Sequence, residues 1–244
     1  MNALAAQALP PIVLTFAASD PSGGAGLPAD LMTIASLGAH PLSVTTALTV
    51  QDTVGVRRVL PVNADCVSEQ ARIVLADIPV AAFKVGLLGS IGNVSAIAEI
   101  VAEYPGIPLV LDPVLASGRG ERLVDDEVIV GMRELLMPLT TILTPNSLEA
   151  RRLLGGDQRT LAECAESLLA LGCEYVLVTG THEPTERVVN TLYGKRHGAL
   201  RSDTWDRLPG SYHGSGCTLA SAIAAQLASG MPVEQAVRAA QEYT

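Results

Sequence analysis

Aromatic residues and positive charge are both scarce in this chain. Phenylalanine, tryptophan and tyrosine make up 3% of the 244 residues. The chain has 16 Lys and Arg against 25 Asp and Glu, which gives a formal net charge of −9. Proteins that bind nucleic acids use basic grooves and, for single strands, aromatic platforms on which bases stack. We therefore expect no nucleic-acid partner. An anionic ligand would have to be held by backbone N–H groups, a metal ion or local cations.

Closely spaced cysteine and histidine ligands are also missing. The four cysteines show no C-x-x-C spacing and no dense framework, which favours reduced thiols in a cytoplasmic protein. The four histidines do not fall at the spacing of metal ligands, so we expect no structural zinc. The first eleven residues contain no Lys or Arg, so they lack the charged start of a signal peptide, and we interpret them as a frayed tail.

No Asp, Glu, Lys or Arg occurs from His213 to Val233, a stretch long enough to raise the question of a membrane span. Serine, threonine and glutamine interrupt it, and Gly230-Met231-Pro232 ends it. We interpret it as a buried helix in a protein with no membrane partner.

Apolar runs alternate with helical patterns along most of the chain. A continuous apolar run at 12–17 is typical of a strand covered on both faces. Further strand-like runs lie at 43–50, 54–62, 81–85, 107–111, 140–144, 174–179 and 187–193. Helical patterns lie near 29–37, 65–77, 92–103, 125–137, 147–154 and 160–171, then from Cys217 to about Ser229 and from Val233. This alternation predicts βαβ units and a largely parallel sheet, whereas 187–193 and 197–203 are expected to pair as a hairpin. Because nothing resembles a linker, we predict a single domain over 1–244.

The stretch His213-Gly214-Ser215-Gly216-Cys217 precedes a helical pattern. Glycines let a ligand approach the backbone closely, and the start of a helix offers unpaired N–H groups to an anion. A cysteine on the first turn is expected to have a lowered thiol pKa and to be a candidate catalytic group. The alternative is an ordinary loop with a small buried cysteine.

A second glycine-rich loop, residues 24–29, matches G-x-G-x-x-A between a strand and a helix. By itself it resembles a dinucleotide-binding fingerprint, with Asp52 in the place of the acid that binds the ribose. This motif leaves two interpretations open, namely an NAD-linked oxidoreductase and a simple tight turn.

Polar side chains follow several of the predicted strands, at the edge of a parallel sheet where ligands collect. Asp112 ends one buried strand, and Asn146 and Glu149 follow another. These groups could hold Mg²⁺, although Asn146 and Glu149 also fit a helix N-terminus. Gln51 offers an amide that suits the edge of a heteroaromatic ring, or it lies in solvent at a strand end.

Six segments together resemble the hydroxymethylpyrimidine / phosphomethylpyrimidine kinases of thiamine biosynthesis, in the ribokinase superfamily. They are A-S-D-P-S-G-G-A-G-L-P-A-D-L at 18–31, T-V-Q-D at 49–52, K-V-G-L-L at 84–88, L-D-P-V at 111–114, T-P-N-S-L-E-A at 144–150 and H-G-S-G-C-T-L-A-S-A at 213–222. The resemblance implies a ribokinase-like three-layer αβα sandwich with a mostly parallel central sheet. It also implies a homodimer that uses ATP and Mg²⁺ to phosphorylate a pyrimidine alcohol and then its monophosphate.

The resemblance also implies roles for individual residues. Those expected at the pyrimidine are Ala18, Asp20, Asp30, Thr49, Gln51, Leu87 and Val114. Those expected at the transferred phosphoryl group are Gly214, Ser215, Gly216 and Cys217. Asp112 and Glu149 would serve Mg²⁺, and the nucleotide would contact Asn146, Thr179, Gly180 and Arg119.

One position departs from the family pattern. Relatives often carry a lysine where this chain has Thr179, so the role of that cation would fall to Mg²⁺ or Arg119. A pyridoxal kinase of the same superfamily is the alternative within the class, and a non-catalytic ligand-binding module is the alternative outside it.

Overall fold

The structure is a computed structural model that describes residues 9–117, 120–156, 158–210 and 212–244. The strands are β1 (Ile12–Ser19), β2 (His40–Gln51), β3 (Val56–Pro61), β4 (Ala82–Val85), β5 (Leu109–Leu111), β6 (Ile142–Leu143), β7 (Tyr175–Thr179), β8 (Arg187–Gly194) and β9 (Gly198–Asp206). The α-helices are α1 (Gly26–Ser36), α2 (Ala64–Asp77), α3 (Ile91–Ala102), α4 (Asp126–Gly131), α5 (Ser147–Leu153), α6 (Leu161–Ala170), α7 (Ser215–Ala228) and α8 (Val233–Tyr243). Most of the tail predicted to fray lies outside the described residues.

The strands form one nine-stranded sheet in the order β3-β2-β1-β4-β5-β6-β7-β8-β9. All strand pairings from β2 through β7 are parallel, and the remaining pairings, at the two edges, are antiparallel. The mostly parallel sheet and the β8–β9 hairpin are therefore confirmed. Because β1 lies between β2 and β4, the chain reverses its direction of travel across the sheet at β1, and ligands of open α/β sheets bind beside such a point.

Helices cover both faces of the sheet. One apolar cluster packs α2 to α6 against one face, and a second cluster packs α1, α7 and α8 against the other. The central strands are buried on both sides, which explains their continuous apolar sequences. The predicted three-layer αβα sandwich is confirmed.

The helix predicted over 125–137 is shorter and less regular than its pattern suggests. An α-helical turn over Asp126–Gly131 widens into a π-helical turn over Met132–Leu136 and ends in a 3₁₀ turn over Met137–Leu139. Pro138 cannot donate the backbone N–H that a continuing α-helix would need. None of the helices in the described ranges combines the length and apolar composition needed to cross a bilayer.

Candidate active site

A cleft of about 830 Å³ opens at the carboxyl ends of the parallel strands. That volume lies within the range typical of small-molecule sites. Thr49 near the end of β2, Asp112 after β5, Thr144 after β6 and Thr179 at the end of β7 all line it. The parallel order of the sheet brings these separate strand ends to one edge, as the sequence predicts.

The start of α7 forms one wall of the cleft. Gly214 precedes the helix with φ 83°, and a Cβ built on it would lie 1.8 Å from the carbonyl oxygen of Gly24. Only glycine fits this close approach. The first helical hydrogen bond runs from Thr218 N–H to the carbonyl of Gly214, so the N–H groups of residues 215–217 precede the helical ladder. With the positive end of the helix dipole, these groups suit an anion.

A fully buried lysine lies beneath this turn. Lys84 on β4 places its Nζ 2.9 Å from both carboxylate oxygens of Asp30 and 3.9 Å from Oδ2 of Asp112. Asp30 also accepts hydrogen bonds from the hydroxyls of Thr15 and Ser221. Burial alone would lower the pKa of Lys84 and is the largest single influence on it. The charge and hydrogen bonds of Asp30 act together with the other acidic groups nearby, Asp112 among them, and raise that pKa, so the ammonium stays charged.

The thiol of Cys217 is surrounded by acids rather than bases. The carboxylates of Asp112 and Asp30 act on it, and it lies beside the backbone of Gly26. Burial and the charge of Asp112 raise the pKa of the thiol well above its ordinary value, although the ammonium of Lys84 opposes them. The lowered pKa expected from the helix position is therefore wrong for this state of the protein. The reason is tertiary, because β5 brings Asp112 against the first turn of α7.

Asn146 and Glu149 form the N-terminus of α5. The Asn146 side chain accepts hydrogen bonds from the backbone N–H groups of Leu148 and Glu149, and Glu149 Oε2 accepts from the Asn146 N–H in return. This is a capping box, so the helix-start interpretation is confirmed for both residues. Both side chains also line the cleft, and the capping role does not remove them from the site.

The acids of the cleft have the electrostatics of a cation site. Burial and the charge of Asp112 raise the pKa of Glu149 to about 8. Oδ2 of Asp112 is buried and has no hydrogen-bond partner among the described residues. A divalent cation would stabilise the ionised form of Glu149 and give Oδ2 of Asp112 a partner, so the residues fit the Mg²⁺ that the resemblance implies. The described ranges contain no group of three or more His, Cys, Asp or Glu arranged around a metal ion. A cation here would take its other ligands from water and phosphate.

A second polar cluster, formed by Asp20, Gln51 and His213, lines the same cleft. Nε2 of His213 is 3.0 Å from Oδ2 of Asp20 and 3.2 Å from Nε2 of Gln51. Asp20 also accepts hydrogen bonds from Ser22 and from the N–H of Ala25, which closes the loop between β1 and α1. Burial alone would raise the pKa of Asp20, but these hydrogen bonds outweigh burial and lower it.

Residues 20–244 match the sequence profile of the phosphomethylpyrimidine kinase family. The chain belongs to that family. It is 40% identical over 246 aligned residues to the hydroxymethylpyrimidine/phosphomethylpyrimidine kinase of Streptomyces coelicolor, and the match covers 100% of this chain and 90% of the relative.

Solved structures of kinases share the fold. Phosphomethylpyrimidine kinase from Clostridium difficile superposes with a TM-score of 0.82 at 36% identity, covering 96% of this chain and 97% of that one. An ADP complex of Bacillus subtilis pyridoxal kinase superposes with a TM-score of 0.87 at 32% identity, covering 96% and 90%. The predicted family and the predicted kinase class are confirmed, and the NAD-linked alternative is wrong.

The structure also explains why the dinucleotide pattern misleads. A Cβ on Gly26 would lie 2.2 Å from the carbonyl oxygen of Ala18, so this glycine serves close packing of the loop against β1. The carboxylate of Asp52 accepts hydrogen bonds from the N–H groups of Val54 and Gly55, which makes it a turn residue between β2 and β3.

Most of the residues assigned by resemblance to this family meet in the one cleft. Those that line it are Ala18, Asp20, Thr49, Gln51, Leu87, Asp112, Val114, Asn146, Glu149, Thr179, Gly214, Ser215, Gly216 and Cys217. Their individual roles stay predictions. Asp30 does not line the cleft. Its side chain is fully buried, and its carboxylate oxygens accept hydrogen bonds from Lys84, Thr15 and Ser221.

Two further predictions have different outcomes. Gly180 borders a smaller depression of about 220 Å³ instead of the main cleft, with its N–H donating to Asn190 Oδ1. Arg119 lies outside the described residues.

Sequence reasoning missed Lys84 and His213. Both belong to segments that carry the family resemblance, and the sequence around His213 gives it no separate signal of function. Lys84 sits in a strand whose every residue is buried, and a lysine in such an apolar run is the one signal that could have marked it.

Proposed function

We propose that this protein transfers the γ-phosphoryl group of ATP to 4-amino-5-hydroxymethyl-2-methylpyrimidine, and then to the monophosphate, in thiamine biosynthesis. One observation carries the proposal for this chain. The open start of α7 faces the same cleft as the paired acids Asp112 and Glu149. An anion site beside a cation site is what phosphoryl transfer requires, and the family supplies the identity of the acceptor.

The protein contributes position and charge more than covalent chemistry. In this proposal the N–H groups of residues 215–217 bind the oxygens of the transferred group as negative charge develops. Asp112 and Glu149 hold Mg²⁺, which neutralises phosphate charge when it is bound. Asn146 and Thr179 contact the nucleotide, and Ala18, Thr49, Gln51, Leu87 and Val114 surround the pyrimidine.

Cys217 orients the acceptor alcohol in this proposal. Its thiol pKa is raised by burial and by Asp112, so at neutral pH the group is a neutral hydrogen-bonding partner, not a ready base. The loose transition state of phosphoryl transfer makes little demand on a strong base, since the bond to the alcohol forms late.

ADP release measured with the pyrimidine, with pyridoxal and with no acceptor tests the proposal. We expect Mg²⁺-dependent release with the pyrimidine, well above both other reactions. Faster turnover of pyridoxal would favour the pyridoxal kinase alternative, which the similarity to the Bacillus subtilis enzyme motivates. Ligand binding with no ADP release in any reaction would indicate a non-catalytic module.

The proposal includes a cytoplasmic homodimer. All four cysteines are free thiols, as a reducing compartment favours, and the resemblance implies the dimer. Light scattering after size exclusion would measure the mass against 25.4 kDa for one chain.

A further inference from the structure

One nitrogen of His213 faces two polar partners at the pyrimidine end of the cleft. Nε2 lies 3.0 Å from Asp20 Oδ2 and 3.2 Å from the side-chain amide of Gln51. A ring nitrogen is either a donor or an acceptor, so it cannot donate to one partner and accept from the other. The two contacts together therefore determine where the protons lie.

Asp20 decides the state of this nitrogen. A carboxylate only accepts hydrogen bonds. Oδ2 of Asp20 already accepts from the hydroxyl of Ser22 and the N–H of Ala25, and Oδ1 accepts from the N–H of Ser22. These donors favour the ionised carboxylate, and the side chain is 3% exposed. Nε2 of His213 must therefore carry a proton and donate it to Asp20. This holds for the neutral Nε2–H tautomer and for the imidazolium.

The orientation of the Gln51 amide follows from that proton. An Nε2–H group cannot accept a hydrogen bond from the amide NH₂, so the amide oxygen must face His213. A half-turn of the terminal torsion of Gln51 exchanges its oxygen and nitrogen, and the hydrogen-bond network decides between the two orientations. The NH₂ group then faces away from His213.

We propose that His213 and Asp20 are positioning residues that hold the Gln51 amide in a single orientation and so select the edge of the acceptor ring. The inference rests on the proposed function, because Gln51 is assigned there to the pyrimidine. In this orientation the amide NH₂ donates to a ring nitrogen. The second lone pair of the amide oxygen accepts from an exocyclic amine beside that nitrogen. An aminopyrimidine presents this pair of groups, and pyridoxal has no amine next to its ring nitrogen.

Nitrogen-detected NMR of the imidazole groups tests the proton position directly. The chain has four histidines, and the spectrum of a His213→Gln variant assigns the His213 signals by their loss. We expect a protonated Nε2 in the ligand-free wild-type protein near neutral pH. An unprotonated Nε2 would overturn the proposal, whatever reaction the enzyme catalyses.

Kinetics of three variants test the effect on the acceptor. His213→Phe keeps a ring over Gly24 but removes the donor, and we expect kcat/KM for the pyrimidine to fall about 10- to 100-fold. KM for ATP should stay within about twofold of wild type. His213→Gln can restore a donor near the position of Nε2 and should recover most of the loss. His197→Phe, in the β8–β9 turn, is the control and should behave as wild type.

The ratio of kcat/KM for the pyrimidine to that for pyridoxal separates positioning from general damage. We expect this ratio to fall in His213→Phe and to recover in His213→Gln. An equal loss for both alcohols, or unchanged kinetics, would overturn the proposal. If wild-type enzyme releases no ADP with the pyrimidine, the proposed function fails, and the NMR result still decides the hydrogen-bond arrangement.

Discussion

The two glycines at the start of α7, Gly214 and Gly216, lack a side chain for different reasons. Gly214 has positive φ and packs against the carbonyl of Gly24, so its lack of a side chain serves the fold. Gly216 has ordinary φ, and a Cβ built on it would meet none of the described atoms within 4 Å. Its lack of a side chain leaves room at the cleft.

We predict opposite effects of alanine at these two glycines. Gly216→Ala should keep its free energy of unfolding within about 1 kcal/mol of wild type, since alanine favours a helix. Its kcat/KM should fall about 10- to 100-fold, because the new methyl group displaces the phosphate. Gly214→Ala should instead lower the free energy of unfolding, because its new methyl group would collide with the carbonyl of Gly24. Denaturant unfolding and steady-state kinetics measure both, and normal kinetics of Gly216→Ala would mean that no phosphate approaches this turn.

Cys217 should alkylate slowly despite its place on the first turn of a helix. The thiolate is the nucleophile, and burial with the charge of Asp112 raises the pKa of this thiol. With iodoacetamide near neutral pH, mass spectrometry should find Cys66, which is exposed, modified well before Cys217. Equal or faster labelling of Cys217 in the ligand-free protein would contradict the raised pKa.

At the scale of secondary-structure elements, two charge clusters, each built on a buried aspartate, join parts of the fold that are distant in sequence. Lys84 and Asp30 link β4 to α1, and the hydroxyl of Ser221 adds α7 to the same cluster. Asp203 on β9 accepts from Arg201 and from two side chains of α8, Arg238 and Gln241.

Removing one partner of the first cluster should cost more than removing both. Lys84→Met leaves the carboxylate of Asp30 buried without its cation, and we expect a loss of about 3–5 kcal/mol in the free energy of unfolding. Lys84→Met with Asp30→Leu should recover much of that loss. The exposed pair of Arg72 and Glu103 offers the control, since Arg72→Met should leave stability nearly unchanged. A double variant no more stable than Lys84→Met would contradict this account.

The second cluster should make stability depend on pH in acid. The Arg201 guanidinium, with Arg238 and Gln241, holds the pKa of Asp203 below its ordinary value of 3.8. A lowered pKa in the folded state adds stability that is present above the unfolded pKa and is lost as pH falls through the folded pKa. Asp203→Asn should lose about 1–2 kcal/mol at neutral pH. The difference in free energy of unfolding between Asp203→Asn and wild type should shrink below about pH 4. A difference that is constant from pH 7 to pH 3 would contradict the assignment.

At the scale of the whole molecule, the cleft unites ends of strands from across the sheet, so ligand binding should stabilise the fold as a unit. A ligand present at 100 times its Kd adds about 2.7 kcal/mol to the free energy of unfolding. For a protein of this size we expect Mg²⁺ and ATP together to raise Tm by about 5–10 °C. NAD at the same concentration should leave Tm unchanged. Gly216→Ala is the matched control, and an equal shift in that variant would place the nucleotide away from the turn.

Local chemistry alone predicts much of this protein. The apolar runs become strands and the helical patterns become helices because burial and backbone hydrogen bonding act over a few neighbouring residues. The same local logic explains why Asn146 and Glu149 begin a helix and why Gly214 ends a tight turn just before α7. The parallel sheet then implies that residues at strand ends share one edge, so the cleft could be anticipated from sequence.

Tertiary structure alone decided the charge states and the pairings. The thiol pKa of Cys217 depends on Asp112, which is about a hundred residues away along the chain. Asp30 was predicted to contact the pyrimidine, but it is bound by Lys84 on β4 and does not reach the cleft. The contact of His213 with Asp20 and Gln51 joins two loops and the end of β2 in the same way. Electrostatic and hydrogen-bond energies depend on distance in space and on burial, and neither quantity is written in the local sequence.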